Sequence, residues 1–317
     1  MTPEQSAWFA SRFAALVANV SRAVLGADGP VRLVLTAMVA EGHVLLEDAP
    51  GTGKTSLARA IAASVQGSQQ RIQFTPDLLP SDVTGVTIYD QTTRTFQFHQ
   101  GPVFASVLLA DEINRASPKT QSALLEVMEE GHVTVDRERH PVGRPFVVIA
   151  TQNPIEQAGT YRLPEAQLDR FLVRTALGYP DRTATVEILA GARDRTVGLE
   201  PVVSTAEIVR MADLAQTVHA GGAVLDYVAR LIEGTRADPQ TALGASVRGG
   251  LALVRCARVA AAADGRGYLI PDDVKSLAVP VLAHRLVLDP EADFVGATAT
   301  QVVDRVLERT PPPAERA

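Results

Sequence analysis

The sequence predicts an α/β domain built on a parallel sheet, followed by a small all-α domain. Short apolar runs suited to buried strands alternate with helical patterns over residues 1–180, an order that builds a parallel sheet. A glycine-rich loop follows the first of these strands. After the turn signal Gly178-Tyr179-Pro180 only helical spacing recurs, so we expect a domain boundary near residue 180.

The composition excludes several classes of protein. The chain has 317 residues, of which 46% are hydrophobic and 21% charged, as in ordinary globular proteins. Its formal net charge of -6 gives no electrostatic footprint for nucleic acid, and we expect no such partner. The single cysteine excludes an intramolecular disulfide, and the six histidines show no metal-ligand spacing. No secretory signal and no apolar run near the ~20 residues that span a bilayer are present, so we expect a cytoplasmic protein without membrane insertion.

Two helices precede the first strand. Apolar residues recur at helical spacing over residues 3–20, and Pro30 suits the first turn of a helix over 30–40. We expect the first helix to pack on the domain that follows. His43, just before the strand, is expected to be structural rather than a metal ligand.

The first strand, at residues 44–46, leads into a loop that can bind a polyphosphate. Gly51 and Gly53 permit a tight turn whose backbone N–H groups form an anion nest, and Lys54 adds a positive charge. The helix from Thr55 adds its N-terminal dipole, and the Thr55 hydroxyl is placed to ligate Mg²⁺. The alternative is a chance Gly-Lys-Thr in a surface loop, which the strand before it and the Ala-rich helix after it disfavour.

The general form of this loop has glycine where the chain has Asp48. The core from Gly51 to Thr55 is nevertheless intact, and we predict nucleotide contacts along its whole length. The candidate nucleotide-binding residues are Asp48, Ala49, Pro50, Gly51, Thr52, Gly53, Lys54, Thr55, Ser56 and Asp111.

Two hairpins are predicted between the later strands. A strand at residues 71–74 and a turn-rich stretch at 75–82 precede alternating apolar residues over 85–99, and a second turn-rich hairpin covers 131–145. A purely structural role for the first hairpin and a role in gripping a partner protein stay equally open.

A buried strand at residues 106–112 delivers two carboxylates. Asp111 can hold Mg²⁺ at the strand's carboxyl end, and Glu112 can polarise an attacking water. An exposed acidic turn is disfavoured by the apolar run before it. Another strand, at 146–151, leads to Asn153, whose amide can reach a phosphate or a water; a turn Asn before Pro is the alternative.

The remaining elements are helices apart from one last strand. We predict a short helix over 163–171, a strand over 171–176, and a helix over 205–218 that starts with a Ser204–Glu207 capping box. Cys256 is expected to be buried and inert, and the proline-rich tail at 310–313 to be disordered. The other predicted helices cover residues 181–192, 223–236, 246–263 and 272–284.

Together these motifs resemble the MoxR family of AAA+ ATPases, over residues 10–290. The stretch RIQFTPDLLPSD at 71–82 is the most family-specific, whereas the phosphate loop and the acidic pair are shared across AAA+ proteins. The other matching segments are Asn19-Val20 with Gly26, HVLLEDAPGTGKT at 43–55, DEINRA at 111–116, ATQNP at 150–154 and LPEAQLDRF at 163–171. The resemblance implies an AAA+ P-loop ATPase core with a parallel sheet and a small all-α lid domain.

The resemblance also assigns roles at the site. It implies ATP and Mg²⁺ as cofactors, with Thr55 and Asp111 as metal ligands and Glu112 as the base. Asn153 corresponds to the first sensor, and Arg248 to the second sensor in the lid, although the family usually has proline where this chain has Val247.

Arg170 resembles an arginine finger that reaches a neighbouring subunit's nucleotide. Supplied in trans, such a residue accelerates hydrolysis by roughly 10³–10⁵. The alternative is a local ion pair with Glu165 or Asp169.

The function implied is ATP hydrolysis in a homo-oligomeric ring, expected to be a hexamer. Its hairpins would lie near the central face, and its client would be a partner protein matured in a chaperone-like way, with a von Willebrand factor A domain protein expected. The close alternative is the ATPase subunit of a chelatase, from a sister family with the same inserts. A DNA motor is disfavoured by the acidic net charge. A scaffold protein that binds ATP without hydrolysing it is disfavoured because Glu112, Asn153 and Arg170 are all present.

Overall fold

The computed structural model describes residues 1–49, 51–153, 160–161, 163–191, 196 and 198–313. The chain divides into two compact units that do not follow chain order. The helical unit comprises Met1–Ala14, Pro164–Arg174 and Arg210–Ala317, and the sheet unit comprises Ala15–Leu163 and Thr175–Val209. The domain boundary near residue 180 stays a prediction.

Strands and helices alternate through the first half of the chain, as expected. The strands are β1 (Val44–Glu47), β2 (Gln69–Gln73), β3 (Gly85–Asp90), β4 (Thr95–Gln100), β5 (Val107–Asp111), β6 (His132–Val135), β7 (Glu138–Pro141), β8 (Val147–Gln152), β9 (Val173–Thr175), β10 (Thr241–Leu243) and β11 (Val287–Leu288). The helices are α1 (Pro3–Ser21), α2 (Asp28–Val39), α3 (Lys54–Ser64), α4 (Pro80–Thr84), α5 (Pro118–Glu130), α6 (Glu165–Leu168), α7 (Arg182–Ala190), α8 (Thr205–Gln216), α9 (Gly222–Ala237), α10 (Val247–Ala263), α11 (Pro271–Leu282), α12 (Pro290–Phe294) and α13 (Ala299–Arg309).

The central sheet has the strand order β2-β5-β8-β1-β9, and the pairs β2–β5, β5–β8 and β8–β1 are parallel. Its middle strands are buried apolar runs, which is typical of parallel sheets covered on both faces. The register pairs Gln73 with Asp111 and Glu47 with Gln152, so four polar residues end their strands at one edge. Ligands bind at this carboxyl edge in open α/β sheets.

Two antiparallel hairpins project from the sheet unit, and both were predicted. The strands β3 and β4 pair along their whole length, and Tyr89 and Phe96 lie side by side with their ring centroids 5.1 Å apart. Phe96 is 74% exposed. The rings of Phe98 and His140 stack at 4.1 Å, so the β3–β4 hairpin contacts the β6–β7 hairpin.

The stretch at 75–82, predicted as turns, contains the start of a short helix. Pro80 occupies the first turn of α4, and the Asp82 carboxylate accepts a 2.9 Å hydrogen bond from the Leu79 backbone N–H. Proline and a capping acid therefore start a helix here instead of continuing the turn.

The helical unit is mostly α-helical, but the expectation of helices alone missed the antiparallel pair β10–β11 and the helices α12 and α13. The predicted capping box, which lies in the sheet unit at the start of α8, is present, since Ser204 N–H donates to Glu207 at 2.8 Å and Glu207 N–H donates to Ser204 at 3.2 Å. Cys256 is fully buried, and burial raises the pKa of its thiol to about 12, which makes it inert as predicted. Among the described residues, no helix combines the length and the apolar character needed to cross a membrane.

Candidate functional site

The loop between β1 and α3 has the geometry of an anion nest. Gly51 and Gly53 have φ of +84° and +93°, in the left-handed region that glycine adopts without strain. The helix α3 begins at Lys54, whose Nζ lies 3.2 Å from the carbonyl oxygens of both Asp48 and Ala49. Backbone donors, a helix N-terminus and an ammonium group therefore converge here, as phosphate binding requires. Pro50, predicted as a nucleotide contact, lies outside the described residues.

Asp48 has a structural task that explains why the chain departs from glycine here. Its carboxylate is buried and accepts hydrogen bonds from the backbone N–H groups of Leu177, at 2.5 Å, and Gly178, at 3.1 Å. Both carboxylate oxygens therefore bind the segment that follows β9. Contact with a nucleotide from this residue would come from its backbone rather than its side chain.

A cavity of about 520 Å³ opens beside the loop, within the sheet unit. This volume lies in the range of small-molecule sites. Gly51, Thr52, Gly53, Thr55 and Ser56, all predicted contacts, are among its lining residues. The other lining residues, most of them apolar, are Ala23, Val24, Leu25, Gly26, Ala27, Arg59, Leu177, Gly178, Pro180, Ile188 and Gly191.

Gly26 shapes this cavity by a close approach. Its φ is +72°, and a Cβ placed there would lie 3.2 Å from the Cβ of Ala184. Any other residue at position 26 would strain the backbone at this φ and would crowd the Ala184 side chain on α7. Glycine therefore favours the close approach of these two segments beside the cavity.

Asp111 ends β5 at the carboxyl edge of the sheet. Thr151 Oγ1 donates to its Oδ1 at 2.6 Å, and Arg71 Nη2 donates to its Oδ2 at 2.7 Å. A carboxylate offers about four lone-pair positions. Asp111 therefore keeps acceptor capacity for the water shell of Mg²⁺, and this residue and the Thr55 hydroxyl fit the metal.

Glu112 is held at three points. Gln73 Nε2 and Arg115 Nη1 donate to its carboxylate at 2.7 and 3.1 Å. Its backbone N–H donates to Thr151 Oγ1 at 2.9 Å, and its φ is +55°. Such a left-handed conformation is uncommon for a residue other than glycine and is often found at functional sites. It turns Glu112 out of the β5 strand direction beside Asp111.

Asn153 directly follows β8, the strand between β5 and β1, and so lies at the same edge of the sheet as Asp111. Its neighbour Gln152 donates to Glu47 at 2.5 Å, which links the ends of β8 and β1. The strand order therefore brings the predicted sensor and the acidic pair to adjacent strand ends.

Arg170 and Arg248 belong to the helical unit and lie near a common carboxylate. Asp169, which precedes Arg170, accepts from Arg285 Nε at 2.7 Å and lies 3.8 Å from Arg248 Nη1. The helix α10 begins at Val247, because Ser246 caps it by accepting from Gly249 N–H at 3.4 Å. The absence of proline at position 247 therefore does not prevent the helix start before Arg248.

Sequence reasoning missed four residues at these places. Gln73 and Arg71 sit on β2, which pairs with β5, and Thr151 ends β8; the parallel strand order could have revealed all three. No local pattern marks Arg285. His43 is structural, as expected, since its two ring nitrogens lie 3.0 Å from Met128 O and Val148 N. Among the described residues, no group of three or more His, Cys, Asp or Glu side chains could hold a metal ion.

Comparisons with known proteins agree with this geometry. Residues 43–173 match the family model "ATPase family associated with various cellular activities (AAA)", and residues 233–306 match the AAA lid domain. The chain is 42% identical to Chaperone MoxR1 of Mycobacterium tuberculosis, over 92% of this chain and 79% of that protein. It is 32% identical to Protein MoxR of Methylorubrum extorquens, over 93% of each chain.

The fold has also been seen in a solved structure. A candidate ATPase from Cytophaga hutchinsonii matches with a TM-score of 0.90 and 34% sequence identity, covering 98% of both chains. These likenesses extend over nearly the whole of this chain. The chain belongs to the MoxR family of AAA+ ATPases and is an ATP hydrolase.

Proposed function

We propose that this ATPase works as a homo-oligomeric ring, in which ATP hydrolysis drives the chaperone-like maturation of partner protein complexes. The hydrolysis in this proposal is supported by the phosphate loop, Asp111, Glu112 and Asn153, which all follow or end strands at one edge of the sheet. The chaperone-like role is supported by the similarity to Chaperone MoxR1. The expected hexamer and the expected von Willebrand factor A domain client are the finer parts of the proposal.

Each nucleotide-site residue has a task in hydrolysis. The nest at Gly51 and Gly53 and the Lys54 ammonium hold the phosphates. The Thr55 hydroxyl and Asp111 hold Mg²⁺, which neutralises charge on the β- and γ-phosphates when bound. Glu112 accepts the proton of the attacking water, and Asn153 orients that water against the γ-phosphate.

We propose further that Arg170 completes the site of a neighbouring subunit. It belongs to the helical unit, whereas the phosphate loop belongs to the sheet unit. A positive charge delivered to the γ-phosphate stabilises the transition state without any covalent step. Arg248, whose Nη1 lies 3.8 Å from the carboxylate of Asp169, is proposed as the second sensor.

The β3–β4 hairpin is proposed to contact the client. Val86, Ile88 and Tyr89 are each about half exposed and Phe96 is 74% exposed, so the hairpin presents apolar side chains to solvent. Contiguous exposed apolar groups mark protein interaction sites. The hairpins therefore belong to the face of the ring that the client meets.

The proposal is tested by the ATPase rate per subunit at increasing protein concentration. A rate that rises with concentration, and that collapses in Arg170→Ala while nucleotide binding persists, supports a ring with a finger in trans. A rate that is independent of concentration and indifferent to Arg170 would mean that each subunit acts alone, which contradicts the proposal.

A further inference from the structure

Arg285 is a buried arginine whose hydrogen bonds converge on the segment around Arg170. Its side chain is 3% exposed, and it follows the end of α11 in the helical unit. Nε donates to Asp169 Oδ1 at 2.7 Å, and Nη2 donates to the carbonyl oxygens of Asp169, at 3.3 Å, and Phe171, at 2.8 Å. Nη1 donates to the carbonyl of Leu172 at 3.4 Å.

These contacts fix the chain on both sides of Arg170. Asp169 is held by its side chain and its carbonyl, and the carbonyls of Phe171 and Leu172 are held on the other side. A guanidinium carries five donors in a rigid plane and can span several acceptors at once, which a lysine ammonium cannot do in this geometry. Arg285 therefore restrains the backbone from which the Arg170 side chain projects.

The same guanidinium is anchored in the helical bundle. Nη1 also donates to the carbonyl of Val281 in α11. The neighbouring His284 Nε2 lies 3.0 Å from the carbonyl oxygen of Phe171, so two consecutive residues after α11 bind the same segment. The position of residues 169–172 is thus tied to α11 rather than to a free loop.

Burial of this charge is costly unless the charge is paired and its donors are satisfied. The Asp169 carboxylate supplies the pairing, and it also lies 3.8 Å from Arg248 Nη1. One carboxylate therefore connects the buried arginine to the proposed second sensor. Arg285 therefore holds a residue that directly precedes Arg170 in the chain and that lies within ion-pair distance of Arg248.

We propose that Arg285 is the positioning residue of the arginine finger: it holds residues 169–172 so that Arg170 meets the neighbouring subunit's nucleotide in a fixed geometry. The inference rests on the proposed function, because it requires Arg170 to act in trans. Arg285 itself touches no nucleotide in this scheme. Its loss misplaces the finger while the subunit's own phosphate loop and Glu112 stay intact.

The test uses rings mixed from two inactive variants. A Glu112→Gln subunit cannot hydrolyse its own ATP but carries an intact finger. An Arg285→Met subunit has an intact base but presents a misplaced finger to its neighbour. Alone, we expect Arg285→Met to lose turnover by about 10²-fold, the size of effect that a misplacement of ~1 Å produces. Mixed with Glu112→Gln, its turnover should rise well above the sum of the two variants measured separately.

Arg266 provides a matched control in the same helical unit. It is a part-buried arginine that binds both carboxylate oxygens of Asp273 on α11, at 2.6 and 2.7 Å. Its other side-chain hydrogen bonds within the described residues go to Asp264 and Tyr268, and not to residues 169–172. Arg266→Met removes a comparable ion pair and should lower the melting temperature. We expect its turnover per folded subunit to be unchanged, and mixing with Glu112→Gln to produce no gain beyond dilution.

Binding of a fluorescent ATP analogue and the oligomer size are measured for every variant, and three results decide the proposal. If mixing with Glu112→Gln restores ATP turnover to both Arg170→Ala and Arg285→Met, the proposal is supported. If mixing restores turnover to Arg170→Ala but not to a folded, ATP-binding Arg285→Met, the positioning role alone is overturned. If mixing does not restore turnover to Arg170→Ala, the finger in trans is overturned, and with it the proposed function. If Arg285→Met does not fold, Arg285→Lys, which keeps the charge and loses the planar fork, is read by the same criteria.

Discussion

Gln73 Nε2 donates a 2.7 Å hydrogen bond to the carboxylate of Glu112, from one strand of the sheet to the end of the next. The same carboxylate oxygen accepts from Arg115 at 3.1 Å. The proposed base is thus held by two donors at one oxygen, and each of them restrains the rotation of the carboxylate toward an attacking water. Loss of one donor therefore makes it easier for Glu112 to turn toward that water.

Removing the Gln73 amide should raise basal ATP turnover. A hydrogen bond to a charged group contributes about 1.5–3 kcal/mol, and a tenfold change in rate corresponds to about 1.4 kcal/mol. We expect Gln73→Ala to raise kcat by up to about tenfold with KM for ATP unchanged, measured by phosphate release. A fall in kcat would show instead that Gln73 aims the carboxylate at the water.

Glu112→Gln should bind ATP and fail to hydrolyse it. General base catalysis contributes about 10²–10⁴-fold, so we expect kcat to fall by that factor with little change in nucleotide affinity. The comparison variant is Glu126→Gln, which changes an exposed glutamate on α5 and should retain the parent rate. Turnover of Glu112→Gln equal to that of the parent would exclude Glu112 as the base.

Asp48→Asn should weaken both the fold and nucleotide binding. The asparagine side chain offers one acceptor oxygen, whereas the backbone N–H groups of Leu177 and Gly178 need two. An unsatisfied buried donor costs about 1–3 kcal/mol, and we expect a loss of stability of that order in urea denaturation.

Because Leu177 and Gly178 line the cavity, KM for ATP should rise as well in Asp48→Asn. Asp48→Gly, which restores the general form of the loop, should show the same two defects. Parent-like stability and KM in Asp48→Gly would show that the carboxylate is dispensable.

Much of this arrangement could be predicted from the sequence, because local signals and strand ends carry it. The phosphate loop and the capping box at Ser204 depend on residues that are neighbours in the sequence, and the structure has both. The bond from Gln73 to Glu112 joins residues 39 apart and depends on the strand order. The contacts of Arg285 with Asp169 join residues 116 apart, through helix packing that no periodic pattern encodes.

The task of Asp48 shows the same limit. Its residue type is visible as a departure from the loop pattern, but the partners that explain it lie 129 and 130 residues further along the chain. The loop pattern therefore shows that Asp48 is unusual, but only the fold shows which groups it binds. The helix α4 was also not predicted from the sequence, since two prolines indicate a turn unless the capping by Asp82 is recognised.

His284 should make the protein less stable as the pH falls below about 6.5. Burial, and next the positive charge of Arg285, hold the pKa of His284 well below its ordinary value of 6.5. Between that folded-state pKa and 6.5 the unfolded chain binds a proton that the folded chain does not, so stability decreases as pH decreases, by up to about 1.4 kcal/mol per pH unit. His284→Gln can keep a donor near the Phe171 carbonyl without titrating, and it should flatten this slope between pH 7.5 and 5.5 in urea denaturation. An equal slope in the parent and in His284→Gln would exclude a buried neutral His284 as its cause.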